Sequence, residues 1–304
     1  MLRMATAIEV ARFVQNPIIT SQSGTNVGDN INGPSLIRVP DWLPSPRGRY
    51  YLYFAGHQGT RIHLAYADRL EGPWVLYDPG TLKLEEVTLC RAHIASPDVH
   101  VDNHDRRIRM YFHGPVTADG RDMGQCSLVA FSDDGIRFAA LPHILGQSYF
   151  RVFSGDGWHY AIARAGQLYR SRDGARDFEK GPGLFVDPTG KTTLRHCAVL
   201  VDGDRLRVFY SRIGDCPERI LLSTVALSRD WSGWRESDPV VVLEPEMEYE
   251  GVNLPLAPSA GGRARGRVRQ LRDPAVFREA ERTYLLYSVA GESGIAIAKI
   301  TFRE

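Results

Sequence analysis

Three short runs rich in β-branched and aromatic residues, each bounded by Gly, Pro, Asn or Asp, recur in the same order along the chain. The first set covers 35–39, 50–54 and 62–66, and the second 98–101, 108–112 and 127–131. The third covers 149–153, 158–162 and 168–170, and the fourth 197–201, 206–210 and 221–225. Such runs between turn formers predict strands. A fifth set, 275–277, 284–287 and 295–298, ends without an outer strand. The N-terminal run 11–19 has no partner of its own, and is predicted to supply that strand and close a ring between the two ends of the chain. Closure leaves no exposed sheet edge.

A short phrase follows the third strand of four sets. It reads Ala67-Asp68-Arg69-Leu70-Glu71-Gly72-Pro73-Trp74, then Ser132-Asp133-Asp134-Gly135-Ile136-Arg137-Phe138. It returns as Ser171-Arg172-Asp173-Gly174-Ala175-Arg176-Asp177-Phe178 and as Ser228-Arg229-Asp230-Trp231-Ser232-Gly233-Trp234. The spacing of the copies is too uneven for a solenoid and suits a propeller whose blades carry loops of different length. The expected fold is all-β, a five-bladed β-propeller spanning 1–304 as one domain. Trp74, Phe138, Phe178, Trp231 and Trp234 recur at one position of the phrase and are expected to pack between blades. The stretch Ser259 to Arg267 reads as a mobile loop between the fourth and fifth blades.

Composition narrows the function classes. The 304 residues carry a formal net charge of +1 with both signs interspersed, so nothing points to nucleic acid or a membrane surface. The Arg263 to Arg269 cluster is the exception, read as an anion contact or a solvated loop. No apolar stretch reaches the ~20 residues needed to span a bilayer. Met1-Leu2-Arg3-Met4, followed by Glu9 and Arg12, does not read as a secretory signal. Cys90, Cys126, Cys197 and Cys216 form no Cys-x-x-Cys unit; they are expected to be free thiols, with a cytoplasmic location, and match no zinc pattern.

In a propeller the starts of the innermost strands converge on an axial pocket. Here they are 30–34, 95–98, 147–151, 195–196 and 272–274, rich in Asn, Asp, Arg and His. Polar groups at a ring centre must bond one another or a ligand, and this set suits a polyol. Ser96-Pro97-Asp98-Val99-His100, Leu70-Glu71-Gly72-Pro73-Trp74 and Arg272-Asp273-Pro274-Ala275-Val276-Phe277, within five blade-like units, resemble the five-bladed glycosidases of glycoside hydrolase family 43 and its relatives.

The resemblance implies a carbohydrate ligand and three carboxylates: a base Asp on the first blade, an orienting Asp on the second and an acid Glu on the third. Asp98 matches the second. The first blade has Asn32-Gly33-Pro34 where Asp-Pro is expected, and the third has Arg151 and Ser154-Gly155-Asp156 with no glutamate. Hydrolysis needs two carboxyl groups roughly 5–10 Å apart. Glu250, beside Tyr249 and Val252, is the substitute acid expected from the chain, with Asp273 or Asp29 as the second carboxylate. Asp98, Glu250 and Asp273 are thus the expected catalytic set, and Asn32, Arg151, Arg195, His196, Arg272 and Glu292 the expected substrate contacts. The resemblance also implies an axial cation such as calcium, with His196 helping to hold it. Two alternatives to hydrolysis stand beside it. One is phosphorolysis, with Arg151, Arg195 and Arg272 gripping phosphate by forked hydrogen bonds; the other is sugar binding without catalysis.

Overall fold

The computed structural model describes residues 7–187, 189–190 and 192–303; the reading of Met1 to Met4 lies outside them. Strand formation follows the apolar runs, and the strands group into five antiparallel sheets. Blade 1 runs Asn32–Arg38, Tyr50–Ala55, His63–Ala67 and Val75–Tyr77 from axis to rim. Blade 2 runs Ala95–Asp102, Arg107–Ala118 and Arg121–Ser132, with Ala139–Ala140 and Gly146–Gln147 at its outer edge. Blade 3 is Arg151–Gly155, Trp158–Ile162, Gln167–Ser171 and Glu179–Gly183, and blade 4 is Leu194–Asp202, Arg205–Arg212, Ile220–Ala226 and Val240–Leu243. Blade 5 has Arg272–Glu279, Arg282–Ser288 and Gly294–Arg303.

The outer strand of blade 5 comes from the N-terminal segment. Ala7–Arg12 pairs antiparallel with Gly294–Arg303, and Ile19–Thr20 pairs with the start of the same strand. The closing strand therefore begins four residues earlier than the apolar run suggested. Between its two pieces the Asn16 side chain stands in for backbone, donating to Ile297 O at 2.8 Å and accepting from Ile297 N at 2.9 Å.

The hydrophobic core shows why the sheets form a ring. It divides into clusters that each join neighbouring blades: blade 1 to 2 around Tyr53, Ile108 and Phe112, blade 2 to 3 around Tyr111, Val129 and Phe150, and blade 3 to 4 around Phe153, Tyr160 and Trp234. Blade 4 meets 5 around Phe209, Leu285 and Tyr287, and blade 5 meets 1 around Phe54, Leu286 and Ile297. A blade exposes apolar residues on both faces, so only a neighbour on each side removes them all from water.

The repeated phrase is the turn that fixes this stacking. Asp134 Oδ1 accepts from the Ile136 and Arg137 N–H groups, and Asp173 Oδ1 from Ala175 and Arg176. Each turn presents a glycine carbonyl to the previous blade: Tyr53 Oη donates to Gly135 O at 2.8 Å, and Tyr111 Oη to Gly174 O at 2.7 Å. Phe138 packs edge-on against Tyr53 across the same boundary, and Trp234 against Phe153 and Tyr160. The segment expected as a mobile loop is instead tied down, because Arg195 donates to the carbonyls of Ala260 and Gly262 and Arg272 to that of Gly262.

Candidate axial site

Four of the five inner strands carry the same irregularity at their first residues. Register slips by one residue at 32–35, 95–98, 194–197 and 272–275 against the second strand of the blade. A bulge of this kind re-aims side chains, and it tolerates the prolines that follow Gly33, Ser96 and Asp273 because one residue leaves the ladder. Gly33, Ser96 and Asp273 all sit in the left-handed region, at φ of 57°, 51° and 47°. At Gly33 a Cβ would meet Ser96 Cα at 2.9 Å, so blades 1 and 2 approach too closely there for any other residue. Tyr149, at the start of blade 3, has φ of 67°. Strained non-glycine backbone gathered around one point is a signature of a functional site.

The bulges surround a cavity of about 230 Å³ lined by Asn32, Ser96, Tyr149, His196 and Asp273 from the inner strands and their approaches. His57, Gln58, His93, Ala95, His113 and Gln125 complete its wall. Gln125 reaches it because the second and third strands of blade 2 continue past the Ala95–His113 pairing to Ala118 and Arg121, projecting beyond the face on which inner strands begin. The Tyr149 ring lies against His113 and His196, with centroids 4.2 and 4.6 Å away.

Asp273 is the one carboxylate among the described residues that line this cavity and is 1% exposed. Burial alone would raise its carboxyl, but contact with His196 Nδ1, backed by Arg272 and Arg195, overrides burial and holds it at about 2. Burial pushes His113 well below the ordinary imidazole value, lowers His93 against the opposing hydrogen bond from Gln125, and raises the Tyr149 phenol to about 12. Asp273 Oδ2, His113 Nδ1 and Gln125 Oε1 are buried with no hydrogen-bond partner among the described residues. Buried polar atoms are almost always bonded, so three unpartnered ones on a single cavity wall mark a place made for a polar ligand.

Behind the cavity lies a layer of buried ions. Glu218, fully buried, accepts from Arg195 Nε at 2.7 Å and Ser211 Oγ at 2.7 Å, and its other oxygen lies 3.1 Å from Arg272 Nε. Arg272 also donates to Gln270 and to Glu292, the latter at 3.0 Å. Glu292 accepts from Asn30, and His57 Nδ1 lies 3.4 Å from the same oxygen. Burial and the nearby Asp273 charge oppose ionisation of Glu292, yet hydrogen bonds from His57 and Asn30 keep it below the usual carboxylate range. Beyond His57 and Gln58 the cavity widens into a funnel of about 750 Å³ lined by 26–30, 56–61, 263–266 and Glu292.

Most of the residues singled out from the sequence gather at the axis. Asn32, His196 and Asp273 line the axial cavity, Glu292 lines the funnel, and Arg195 and Arg272 brace them from behind. Asp29 also lines the funnel.

Asp98 and Arg151 lie between blades rather than on the cavity wall. Asp98 Oδ2 accepts from Val152 N at 2.8 Å and pairs with His100 Nε2 at 2.9 Å. The bulge makes Asp98 the counterpart of Ser35, whose hydroxyl accepts from Val99 N in the same way. Arg151 spends its donors on the carbonyls of Ser96, Pro97, Phe150 and Cys197.

Glu250 lies elsewhere, fully buried under the N-terminal strand. It accepts from Arg12 Nε at 2.8 Å, Tyr287 Oη at 2.8 Å and the N–H groups of Glu246 and Met247. Every lone pair that an acid would need is engaged there. The three arginines considered for phosphate are likewise occupied by carbonyls or carboxylates. An axial calcium ion is a poor match for this wall, since calcium takes six to eight oxygens, several of them usually carboxylate, while the wall offers one carboxylate, already held by His196, among four imidazoles and the neutral side chains of Asn32, Gln58, Ser96, Gln125 and Tyr149. No group of three or more His, Cys, Asp or Glu among the described residues is placed to hold a metal.

Sequence reasoning missed Glu218, which sits in the unpatterned turn Cys216-Pro217-Glu218-Arg219, and did not single out His57, His93 or His113. The last was recoverable from strand register, because it pairs with Ala95 at the inner-strand start of blade 2.

No protein-family model matches the sequence. Among solved structures, the chain is similar to a GH43_1 enzyme from Xanthomonas citri, with a TM-score of 0.60 and 14% identity over 91% of this chain and 89% of that one. It is also similar to a protein of the GH130 family of mannoside phosphorylases, which contains glycoside hydrolases that target β-1,2-mannosidic linkages in Candida mannan. That likeness has a TM-score of 0.64 and 10% identity, over 98% of this chain and 95% of that one. At these identities the shared property is the five-bladed fold. In sequence, the chain is 40% identical to the uncharacterized protein R118 of Acanthamoeba polyphaga mimivirus, over 96% of this chain and 90% of that one, and it belongs to the same family as that protein.

Proposed function

We propose that the protein is a carbohydrate-active propeller that binds a saccharide at its axis, with Asp273 as the carboxylate that acts on it and glycoside hydrolysis as the reaction. The observation that carries this reading is the ionised, buried Asp273, whose Oδ2 has no hydrogen-bond partner among the described residues and whose side chain lines the same cavity as His113 and Gln125, each with an unpartnered buried atom of its own. Together they offer acceptors and a ring nitrogen to sugar hydroxyls, and the Tyr149 ring offers an apolar face. The solved propellers of this shape include a family-43 enzyme complexed with xylose, which supports a sugar as the occupant.

In hydrolysis Asp273 takes a proton from water as the water oxygen attacks the anomeric carbon, and the leaving oxygen takes a proton from a donor across the cavity. His57 is the donor that the geometry offers, since it lines both cavity and funnel and pairs with Glu292. A second reading, sugar binding without turnover, is favoured by one observation: Asp273 and Glu292, the carboxyls at the axis and its mouth, are both held ionised, so neither is suited to protonate a leaving group.

Hydrolysis of a glycan library by wild type, Asp273→Asn and His57→Gln separates the readings. Turnover that falls at least a hundredfold in Asp273→Asn, with the protein still folded, is the expected result. Binding without turnover in wild type leaves the second reading, and wild-type turnover by Asp273→Asn removes Asp273 from the chemistry.

A further inference from the structure

We infer that the ligand is an acidic saccharide, a sugar carrying a carboxylate or a phosphate, whose anionic group is read by Arg263 and Arg265 at the funnel mouth. This inference rests on the saccharide reading above and names its substrate class.

The funnel is lined by three arginines, Arg61, Arg263 and Arg265, against Asp29 and a Glu292 that is already neutralised by Arg272. His63, also on its wall, is lowered to about 4 by burial and adds no charge at pH 7. The imbalance is local, because the chain as a whole is close to neutral. Arg263 and Arg265 are exposed and have no hydrogen bond or ion pair among the described residues, whereas most arginines of the inner ring are saturated by protein acceptors.

Their placement is built rather than incidental. Buried Arg195 and Arg272 hold the carbonyls of Ala260 and Gly262, immediately before Arg263. On the far side, Val268 N donates to Ala290 O and Gly291 N to Gln270 O. The loop also packs on Gly291, where a Cβ would meet Ala264 Cβ and Val268 Cγ2, each at 2.8 Å. A segment held at both ends therefore places two unpaired arginines, with Glu292, in the lining of the funnel that shares His57 and Gln58 with the Asp273 cavity. Guanidinium forks match carboxylate and phosphate oxygens. Asp273 repels an anion at the axis itself, so the charged group belongs at the mouth and the neutral ring at the bottom.

The test is calorimetric binding of D-glucuronate, D-galacturonate and glucose 1-phosphate, of glucose and galactose, and of inorganic phosphate alone. Probes are compared on wild type, Arg263→Gln/Arg265→Gln and Arg267→Gln, an exposed arginine of the same loop outside the funnel lining. The acidic sugars are expected to bind roughly tenfold or more tightly than the neutral ones, the size of a charge-assisted hydrogen bond, with a preference that weakens as salt rises. The double variant should lose that preference at an unchanged melting temperature and keep its affinity for neutral sugars, while Arg267→Gln should behave as wild type. Carboxylate against phosphate probes identify which anion is read. Equal binding of neutral and acidic sugars, or a preference retained by the double variant, overturns the inference while leaving the saccharide reading intact. Inorganic phosphate binding as tightly as the sugar phosphate, or no binding of any sugar, overturns both.

Discussion

Replacing Arg12 by methionine should unlatch the N-terminal strand from the blade 4 to blade 5 connection, and its cost can be worked from the contacts of Glu250. That carboxylate is fully buried and receives five donors: two from Arg12, at 2.8 and 3.2 Å, one from Tyr287 and two from backbone. Removing one partner of a buried ion pair costs about 3–5 kcal/mol, because the other charge stays behind without compensation. Three donors remain on Glu250, which places Arg12→Met near the lower end, about 3 kcal/mol. The separate contact of Arg12 with Glu246, a side chain 66% exposed, adds little. An unfolding entropy of about 2.1 cal/mol/K per residue over 304 residues makes about 3 kcal/mol worth about 5 °C of melting temperature. Differential scanning calorimetry of Arg12→Met, Glu250→Leu and the double variant measures it. The double variant should melt above Arg12→Met, since it removes the stranded charge as well as its partner. A shift under about 2 °C for Arg12→Met, or strict additivity in the double variant, would show that the latch does not close the ring.

Three other outcomes follow from the same contacts. A chain beginning at residue 21 lacks both segments that pair with Gly294–Arg303, and should be aggregated or unfolded by sedimentation and circular dichroism. Tyr53→Phe and Tyr111→Phe each strand a buried glycine carbonyl and should cost about 1–2 kcal/mol in urea unfolding, adding nearly independently because they serve different blade boundaries. Asp273 titrates at about 2 in the folded protein against about 3.9 when unfolded, so it stabilises the fold above pH 4 and that contribution fades as pH falls toward 2. The stability difference between wild type and Asp273→Asn should therefore shrink from pH 5 to pH 2, and a difference that is flat across that window would contradict the assignment.

The blades were legible because a strand's core-facing residues and its flanking turn formers are local properties, and because the Ser-Asp-Gly-aromatic turn repeats with its Asp bonding its own backbone. The closing strand was legible only as an unpaired run; its register depends on Arg12 meeting Glu250 and on Asn16 bonding Ile297, contacts more than two hundred residues apart. Ring-centre residues were found where a proline marked the bulge, as at Asp273. Asp98, beside a proline too, was displaced by that same bulge: it follows Pro97 where Asp273 precedes Pro274, so it turns to Val152 N rather than to the cavity. Glu250 carried the signal of a glutamate in apolar company, which burial with an arginine produces as readily as catalysis does. The other histidines of the wall, His57, His93 and His113, come from loops and a second strand, where position on the axis is set by tertiary packing.

Crystals of the protein soaked with its best-binding saccharide test the central claim most directly. A sugar ring is expected in the cavity between Tyr149 and Asp273, with a hydroxyl or water held by Asp273 Oδ2 and the rest of the ligand leading past His57 into the funnel. A saccharide seated only on the outer blades, or between blades 2 and 3 beside Asp98 and His100, with the axial wall unchanged, would contradict it.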